Sequence, residues 1–251
     1  MKLPLHLLLP DITGIPVLMY HKVWEGTNDR LTISPENLTV HFNYLKENGY
    51  QSLSLQGFLA VAKGEREKPE KCFLLTFDDG YVNNLTLAYP IIRAFNFKAA
   101  YFIIGNTLNG TAPQESAETD QKMDVAALQQ LDSEIVQLAL HTQNHIHFGK
   151  YNLDELKADL SANITSFDQS GLAYHKVLAY PFGGRPKDKK IFTHLKEWMA
   201  EQGIEAAFRI GNKPCKTPAK ELFELKRIDI WGTDTVADFA VKLRKGKLKP
   251  F

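Results

Sequence analysis

Short apolar runs that favour β-strands alternate with stretches that favour helices along almost the whole chain. Runs of this kind lie at 15–20, 72–77, 99–105, 135–140, 176–180, 205–210 and 223–230. Parallel strands need long crossover connections, which are usually helices and are nearly always right-handed. The alternation therefore predicts an α/β fold of parallel βαβ units, arranged as a barrel or an open sheet.

Helix start signals fall between these runs. Ser34 precedes a proline, and Ser54 and Asn152 each precede a helical stretch, so all three are expected to be N-caps. Residues 81–96 are predicted to be helical, with a kink or stop near Pro90. Residues 106–122 are polar and predict a long surface loop.

Length and composition limit the kind of protein. The chain has 251 residues, of which 44% are hydrophobic and 24% charged, and its net charge is +1. These values fit one domain, residues 1–251, with a core at about 15–244, and they give no sign of a nucleic-acid partner. The two cysteines have no metal or redox spacing. The oligomeric state is not indicated.

The N-terminus does not have the pattern of a secretory signal. Pro4 and His6 interrupt a short apolar run, and no small-residue cleavage site follows it. No stretch is long and apolar enough to predict a membrane span. We therefore expect no cleaved signal and favour a cytoplasmic location.

Two adjacent carboxylates end the most apolar strand. Asp78 and Asp79 follow the run 73–77 directly, and Gly80 comes next. Ligands of α/β proteins collect at the carboxyl ends of parallel strands, so these acids lie where chemistry is usually done. Neighbouring carboxylates repel each other unless a positive group lies beside them. A metal ion would be such a group, although Asp-Gly also occurs in ordinary turns.

A histidine pair follows another strand. His141 and His145 are four residues apart, which would place both on one face of a helical turn, able to share a metal ion. The metalloprotease pattern requires Glu after the first histidine, but Thr142 stands there. Other histidines lack partners at ligand spacing and are expected at the surface: His6, His41, His175 and His194.

These segments together resemble the metal-dependent polysaccharide deacetylases, carbohydrate esterase family 4, known for the NodB-homology domain. Residues 76–80 resemble the first motif of the family, 141–145 the second and 180–183 the third, and 229–231 lie where the fourth is expected. The resemblance runs from about Val17 to Ala240. It implies a distorted (β/α) barrel with seven or so parallel strands.

The resemblance also implies roles for the motif residues. Asp79, His141 and His145 would hold a divalent metal ion, with Zn²⁺ the first choice and Co²⁺, Ni²⁺ or Fe²⁺ also acceptable to this ligand set. Asp78 would be the general base that takes a proton from water. Tyr180, Pro181, Phe182, Trp231 and Tyr81 would contact the substrate, an N-acetylated glycan.

Two positions depart from the common pattern of the family. The usual acid histidine near the C-terminus is absent, because the last histidine is His194. His21, after the first strand, resembles the acid of the permuted poly-β-1,6-N-acetylglucosamine deacetylases. Ala179 stands where many relatives have the arginine that orients the base, and Arg227 is the expected substitute.

The resemblance therefore implies a metal-dependent hydrolase that removes N-acetyl groups from amino sugars of a polysaccharide or oligosaccharide. One alternative is a catalytically weakened carbohydrate-binding domain of the same fold. Another is a non-haem iron oxygenase, which uses a similar set of two histidines and one carboxylate.

Overall fold

A computed structural model describes residues 14–111 and 117–247. Its centre is a parallel sheet whose strands, in chain order, are β1 (Val17–Tyr20), β4 (Gln51–Leu53), β5 (Cys72–Asp78), β6 (Ala99–Ile103), β7 (Val136–Leu140), β8 (His175–Ala179), β9 (Ala206–Ile210) and β10 (Leu225–Asp229). Two short strands, β2 (Lys22–Val23) and β3 (Thr32–Ile33), pair separately.

The sheet closes on itself through its first strand. β1 pairs with β10 on one side and with β5 on the other, with Leu18 opposite both Ile228 and Leu75. The ring runs β1-β10-β9-β8-β7-β6-β5, and β4 adds to the start of β5. The predicted barrel of about seven parallel strands is confirmed.

Seven α-helices lie within the described residues: α1 (Pro35–Glu47), α2 (Leu55–Lys63), α3 (Tyr89–Ala94), α4 (Val125–Leu128), α5 (Leu153–Ser170), α6 (Lys189–Glu201) and α7 (Val236–Lys245). Ser34, Ser54 and Asn152 are N-caps, as predicted. The helix expected over 81–96 is shorter and divided, because a π-helical segment at Asn84–Ala88 leads into α3. None of these helices is long and apolar enough to cross a bilayer.

Alternate strand residues form two layers of core. One layer fills the barrel and includes Phe102, Ala179 and Phe208, and the Phe58 ring of α2 packs against Phe208. The other layer lies between the strands and the remaining helices. The floor of the barrel is therefore solid, and a ligand can be held only at its rim.

His41, predicted at the surface, is buried between Tyr20 and Phe239, so that prediction is wrong. The absence of a signal and the single domain over 1–251 stay predictions, because residues 1–13, 112–116 and 248–251 lie outside the described part.

Candidate metal centre

Three strand ends deliver charged or imidazole side chains to one rim of the barrel. β5 ends at Asp78, β7 ends just before His141 and β10 ends at Asp229. Asp79 and Gly80 both have positive φ, 72° and 71°, and so turn the chain sharply at the rim. Because these strands are parallel, their carboxyl ends meet on the same side.

Asp79, His141 and His145 form a three-ligand cluster. Asp79 Oδ1 lies 3.1 Å from His141 Nε2 and 3.2 Å from His145 Nε2. The donor atoms all lie within 4.8 Å of one another, with Asp79 and His141 buried and His145 partly exposed. One carboxylate and two imidazoles are a common ligand set for a divalent cation with open coordination positions.

The hydrogen bonding around the cluster also fits a metal. His141 Nδ1 lies 2.8 Å from the carbonyl oxygen of Ala179, which can only accept, so Nδ1 carries the proton and Nε2 is left as a ligand. Asp79 Oδ1 is buried and accepts no hydrogen bond within the part of the chain that the structure describes. A buried carboxylate oxygen of this kind needs a positive partner.

The charges of the cluster balance one another. Burial raises the pKa of Asp79, but the two imidazoles outweigh it and hold that pKa well below its usual range. Burial lowers the pKa of His141, but Asp78 and Asp79 outweigh it and raise that pKa. The site therefore favours an ionised carboxylate beside a positive charge.

The histidine pair is not on a helix. Residues 141–147 have no helical structure, and Thr142 and His145 have positive φ, 64° and 53°. The prediction of one helical face is therefore wrong, although both Nε2 atoms still reach Asp79 Oδ1. Left-handed backbone at residues other than glycine is uncommon and tends to occur at functional sites.

Asp78 forms a bidentate ion pair with Arg227 from β10. Arg227 Nη1 donates to Asp78 Oδ1 at 2.5 Å, and Nη2 donates to Oδ2 at 2.6 Å. Burial raises the pKa of Asp78, but the charge of Arg227 outweighs it and lowers the pKa below its usual value. Asp78 Oδ2 lies 4.0 Å from His141 Nε2, so an ionised carboxylate borders the metal cluster.

A cavity of about 400 Å³ opens over these groups. The charged and imidazole side chains that line it are His21, Arg30, Asp78, Asp79, His141, His145, Arg227 and Asp229, and the remainder of the lining is Met19, Leu31, Phe182, Gly183 and Ile210. His21 Nδ1 is buried and has no hydrogen-bond partner within the described residues. The cavity thus combines three candidate metal ligands, an ionised acid and an imidazole nitrogen without a hydrogen-bond partner among the described residues.

Comparison with known proteins agrees with this geometry. Residues 65–203, more than half of the chain, match the family described as polysaccharide deacetylase. The chain belongs to the polysaccharide deacetylase family. Bacillus subtilis YxkH, whose name places it among the polysaccharide deacetylases, is 25% identical over 169 residues. That match covers 67% of this chain and 57% of YxkH.

A curated protein and a solved structure extend the comparison. The poly-β-1,6-N-acetyl-D-glucosamine N-deacetylase of Escherichia coli K12 is 32% identical over 145 residues, 54% of this chain and 21% of that protein. The chain thus spans little more than half of one curated relative and about a fifth of the other. The structure of Streptococcus pyogenes deacetylase PplD in complex with acetate has a TM-score of 0.77 at 19% identity, over 92% of this chain and 98% of that one.

Of the five residues that the family resemblance assigns to substrate contact, two are exposed at or beside the cavity. Phe182 lies in the cavity wall with 62% of its surface exposed, and its ring centroid is 4.6 Å from that of His145. Trp231 is also exposed and donates from Nε1 to Oδ2 of the cavity residue Asp229 at 2.9 Å.

Three other predicted contact residues lie elsewhere. Tyr180 is fully buried, and its hydroxyl donates to the carbonyl oxygen of Phe223 at 3.1 Å. Pro181 and Tyr81 are also buried, and the Tyr81 ring lies under the Lys122 ammonium. Among the described residues, the cavity lining includes none of the three, so this geometry does not support their expected substrate contacts.

Two charged residues of the cavity, Arg30 and Asp229, are not among the site residues predicted from the sequence. Arg30 Nη2 lies 3.3 Å from Asp229 Oδ2, and its guanidinium is 5.8 Å from the ring centroid of Trp231. Asp229 could have been recognised as a carboxylate at a strand end, like Asp78. Arg30 lies in an irregular segment after β2, and no sequence signal marks it.

Proposed function

We propose that this chain is a metal-dependent hydrolase that removes N-acetyl groups from amino sugars of a polysaccharide or oligosaccharide. The observation that carries the proposal is the Asp79–His141–His145 cluster, bordered in one cavity by the ion-paired Asp78. Membership of the polysaccharide deacetylase family agrees with it.

Asp79, His141 and His145 would hold the metal, with Zn²⁺ the first choice and Co²⁺, Ni²⁺ or Fe²⁺ also suited to these ligands. A divalent cation bound there supplies a polarised amide carbonyl and a more acidic water. Both histidine Nε2 atoms face Asp79, which fits a shared ion.

Asp78 is proposed to be the general base. Its low pKa, set by Arg227 against the effect of burial, keeps the carboxylate ionised and able to accept a proton at neutral pH. Arg227 would orient it, because a bidentate guanidinium fixes the plane of a carboxylate. Arg227 would thereby take the role of orienting the base, for which the methyl side chain of Ala179 is unsuited.

His21 is proposed to be the general acid. As the amide C–N bond breaks, the leaving amine nitrogen must gain a proton, and an imidazole can supply it near neutral pH. The position of His21 in the cavity supports this role over the alternative of a weakened carbohydrate-binding domain. The products would be acetate and a free amino sugar.

The rim of the cavity suits a sugar. Phe182 and Trp231 are exposed aromatic side chains, whose faces can stack on sugar rings, and the exposed Leu31 adds apolar surface to the cavity wall. The name of the Escherichia coli relative suggests β-1,6-linked N-acetylglucosamine as the first substrate to try.

The direct test is acetate release from a panel of N-acetylated glycans. We expect activity that a chelator abolishes and that added Zn²⁺ or Co²⁺ restores. Asp78→Asn should lose at least about 100-fold in kcat while still binding metal, because general bases contribute about 10²–10⁴-fold. Release of no acetate from any glycan by the metal-loaded protein would contradict the proposal.

The same variant separates the oxygenase alternative. A non-haem iron oxygenase needs no free carboxylate base beside its metal, so an unchanged Asp78→Asn variant with oxygen-dependent turnover would favour that class.

A further inference from the structure

One carboxylate from a distant helix holds the loop that carries the histidine pair. Asp159, buried on α5, accepts hydrogen bonds from the backbone N–H of Gln143 at 2.8 Å and of Asn144 at 3.2 Å. It also accepts from Asn144 Nδ2 at 2.9 Å. The loop has no regular structure, so no helix or strand ladder is present to pair these donors.

The opposite side of the loop is bonded to the segment after β6. The N–H of Gly105 donates to Thr142 O at 2.9 Å, and that of Asn106 donates to Gln143 O at 3.0 Å. A Cβ at Gly105 would collide with the Gln143 side-chain amide, so glycine lets the two segments approach. Residues 142–144 are therefore held from both sides. Their carbonyl oxygens accept hydrogen bonds from the segment after β6, and their N–H groups donate to Asp159.

The two histidines differ in how far they depend on these bonds. The N–H of His141 donates to Ile103 O at 3.1 Å, and its ring is bonded to Ala179 O. Those contacts fix His141 without Asp159. The His145 ring makes no hydrogen bond in residues 14–111 and 117–247 beyond its approach to Asp79 Oδ1. Its position therefore depends on the loop that carries it and on ring contacts with His141 and Phe182.

We propose that Asp159 positions His145 for metal binding and thereby sets the affinity of the site for a divalent cation. The inference rests on the metal centre of the proposed function. Without the Asp159 carboxylate, two adjacent N–H groups lose their acceptor, and the left-handed residues Thr142 and His145 lose the bonds that hold the turn between them. His145 then moves while His141 stays, and the cation loses a ligand.

Zn²⁺ affinity of the metal-free protein, measured by competition with a chromophoric chelator, tests this without any glycan. Asp159→Asn keeps the shape of the side chain but replaces one carboxylate oxygen with an NH₂ group. That group cannot accept the hydrogen bonds that the N–H groups of Gln143 and Asn144 donate. We expect its Zn²⁺ Kd to rise about 10-fold or more, the usual result of removing a group that orients a metal ligand. The matched control is Asp168→Asn, an exposed position on the same helix, which should not change the Kd.

A double-mutant cycle distinguishes positioning from a general loss of stability. If Asp159 acts through His145, then His145→Ala and the double variant His145→Ala/Asp159→Asn should bind Zn²⁺ equally weakly. The visible absorption of bound Co²⁺ provides a spectroscopic check, since Asp159→Asn should shift the spectrum toward that of His145→Ala.

Asn144→Ala is a milder variant that removes only the side-chain donor. Asn144→Ala should raise the Zn²⁺ Kd by a smaller factor than Asp159→Asn, and only when His145 is present. If Asp159→Asn does not fold, Asn144→Ala is the variant that tests the inference. A folded Asp159→Asn protein with a Kd within about twofold of wild type would overturn the inference, as would an equal loss in the His145→Ala background. A wild-type protein that binds Zn²⁺ tightly but releases no acetate would contradict the deacetylase function and leave this inference intact.

Discussion

At the scale of single residues, Arg227 determines the state of the buried acid. It follows Asp78 by 149 residues, is 1% exposed, and also lies over the ring of Phe102. A buried carboxylate without this partner would be driven toward its neutral form. The guanidinium is therefore as necessary to the proposed base as the carboxylate itself.

Arg227→Met should impair both stability and the pH response. Asp78 would be left buried without its cation, which should cost about 3–5 kcal/mol of unfolding free energy. The pKa of Asp78 should rise, so the acidic limb of the kcat/KM profile should move to higher pH. Urea unfolding and a pH–rate profile measure the two effects.

Arg209→Met is the control for that variant. Arg209 on β9 forms a partly exposed ion pair with Glu224, and such pairs contribute at most about 1 kcal/mol. An Arg227→Met protein whose acidic limb coincides with that of the control would contradict the role given to Arg227.

His41 is a second residue whose environment fixes its charge. Burial, followed by the charge of Lys242, lowers the pKa of His41 from 6.5 to about 4. Its Nε2 lies 3.1 Å from the carbonyl oxygen of Asp234, and its Nδ1 lies 3.0 Å from the Tyr20 hydroxyl. The neutral ring satisfies both groups, because Nε2 donates to the Asp234 carbonyl oxygen and Nδ1 accepts from the Tyr20 hydroxyl.

Acid should therefore weaken the fold through His41. The unfolded chain binds a proton near pH 6.5 that the folded protein does not take up until about pH 4, so stability falls as pH is lowered across that interval. The loss should reach about 3 kcal/mol. His41→Gln should flatten this part of the curve of unfolding free energy against pH, whereas the exposed His194→Gln should leave it unchanged.

The family motifs, together with the rule that strand ends meet at one rim, predict that Asp79, His141 and His145 lie together, and the structure brings these three side chains within reach of one ion. Strand alternation argues against the substrate contact expected of Tyr180. Val177 and Ala179 point into the barrel, so Tyr180, one residue further on, packs in the outer layer. Arg30 could not be predicted, since an irregular segment leaves no periodic signal.

At the scale of secondary-structure elements, the last helix supports the rim through one buried lysine. Lys242 of α7 donates to Asp234 Oδ2 at 2.6 Å and to the carbonyl oxygen of Asp229 at 3.0 Å. Asp234 also accepts from the N–H of Trp231 at 2.8 Å. The end of β10, which carries the cavity residue Asp229, and the exposed Trp231 that follows it are thereby tied to α7.

Lys242→Met should leave Asp234 buried beside an apolar group and destabilise the protein by about 3–5 kcal/mol. It should also loosen Trp231, which tryptophan fluorescence and its quenching would report. Lys245→Met, at an exposed position of the same helix, is the matched control. Equal stability of the two variants would mean that the Lys242–Asp234 pair does not secure this segment.

Elements with strong patterns were predictable and the loop of the site was not. Apolar runs and N-cap residues located the barrel strands and several helices. The segment 141–147 takes its shape from Asp159 and from the backbone after β6, which are remote in sequence. Local spacing alone therefore suggested a helical turn that the tertiary contacts do not allow.

At the scale of the whole molecule, metal binding should stabilise the fold. A cation present at about 100 times its Kd adds about 2.7 kcal/mol, which for a chain of this size raises Tm by about 5–10 °C. Thermal unfolding with Zn²⁺ and with chelator measures the difference, and His141→Ala should abolish it. An identical Tm in both conditions would argue against a metal centre built on these residues.

The closure of the barrel has a consequence for the protein as it leaves the ribosome. β10 is the last strand within the described residues, and it brings both the second neighbour of β1 and the guanidinium that neutralises Asp78. A growing chain already contains His21, both aspartates and both histidines, but it has no counter-charge for the proposed base. Until β10 has emerged, the ring stays open and Asp78 lacks its guanidinium, so this part of the rim is completed by a strand whose arginine is made 149 residues after the acid that it neutralises.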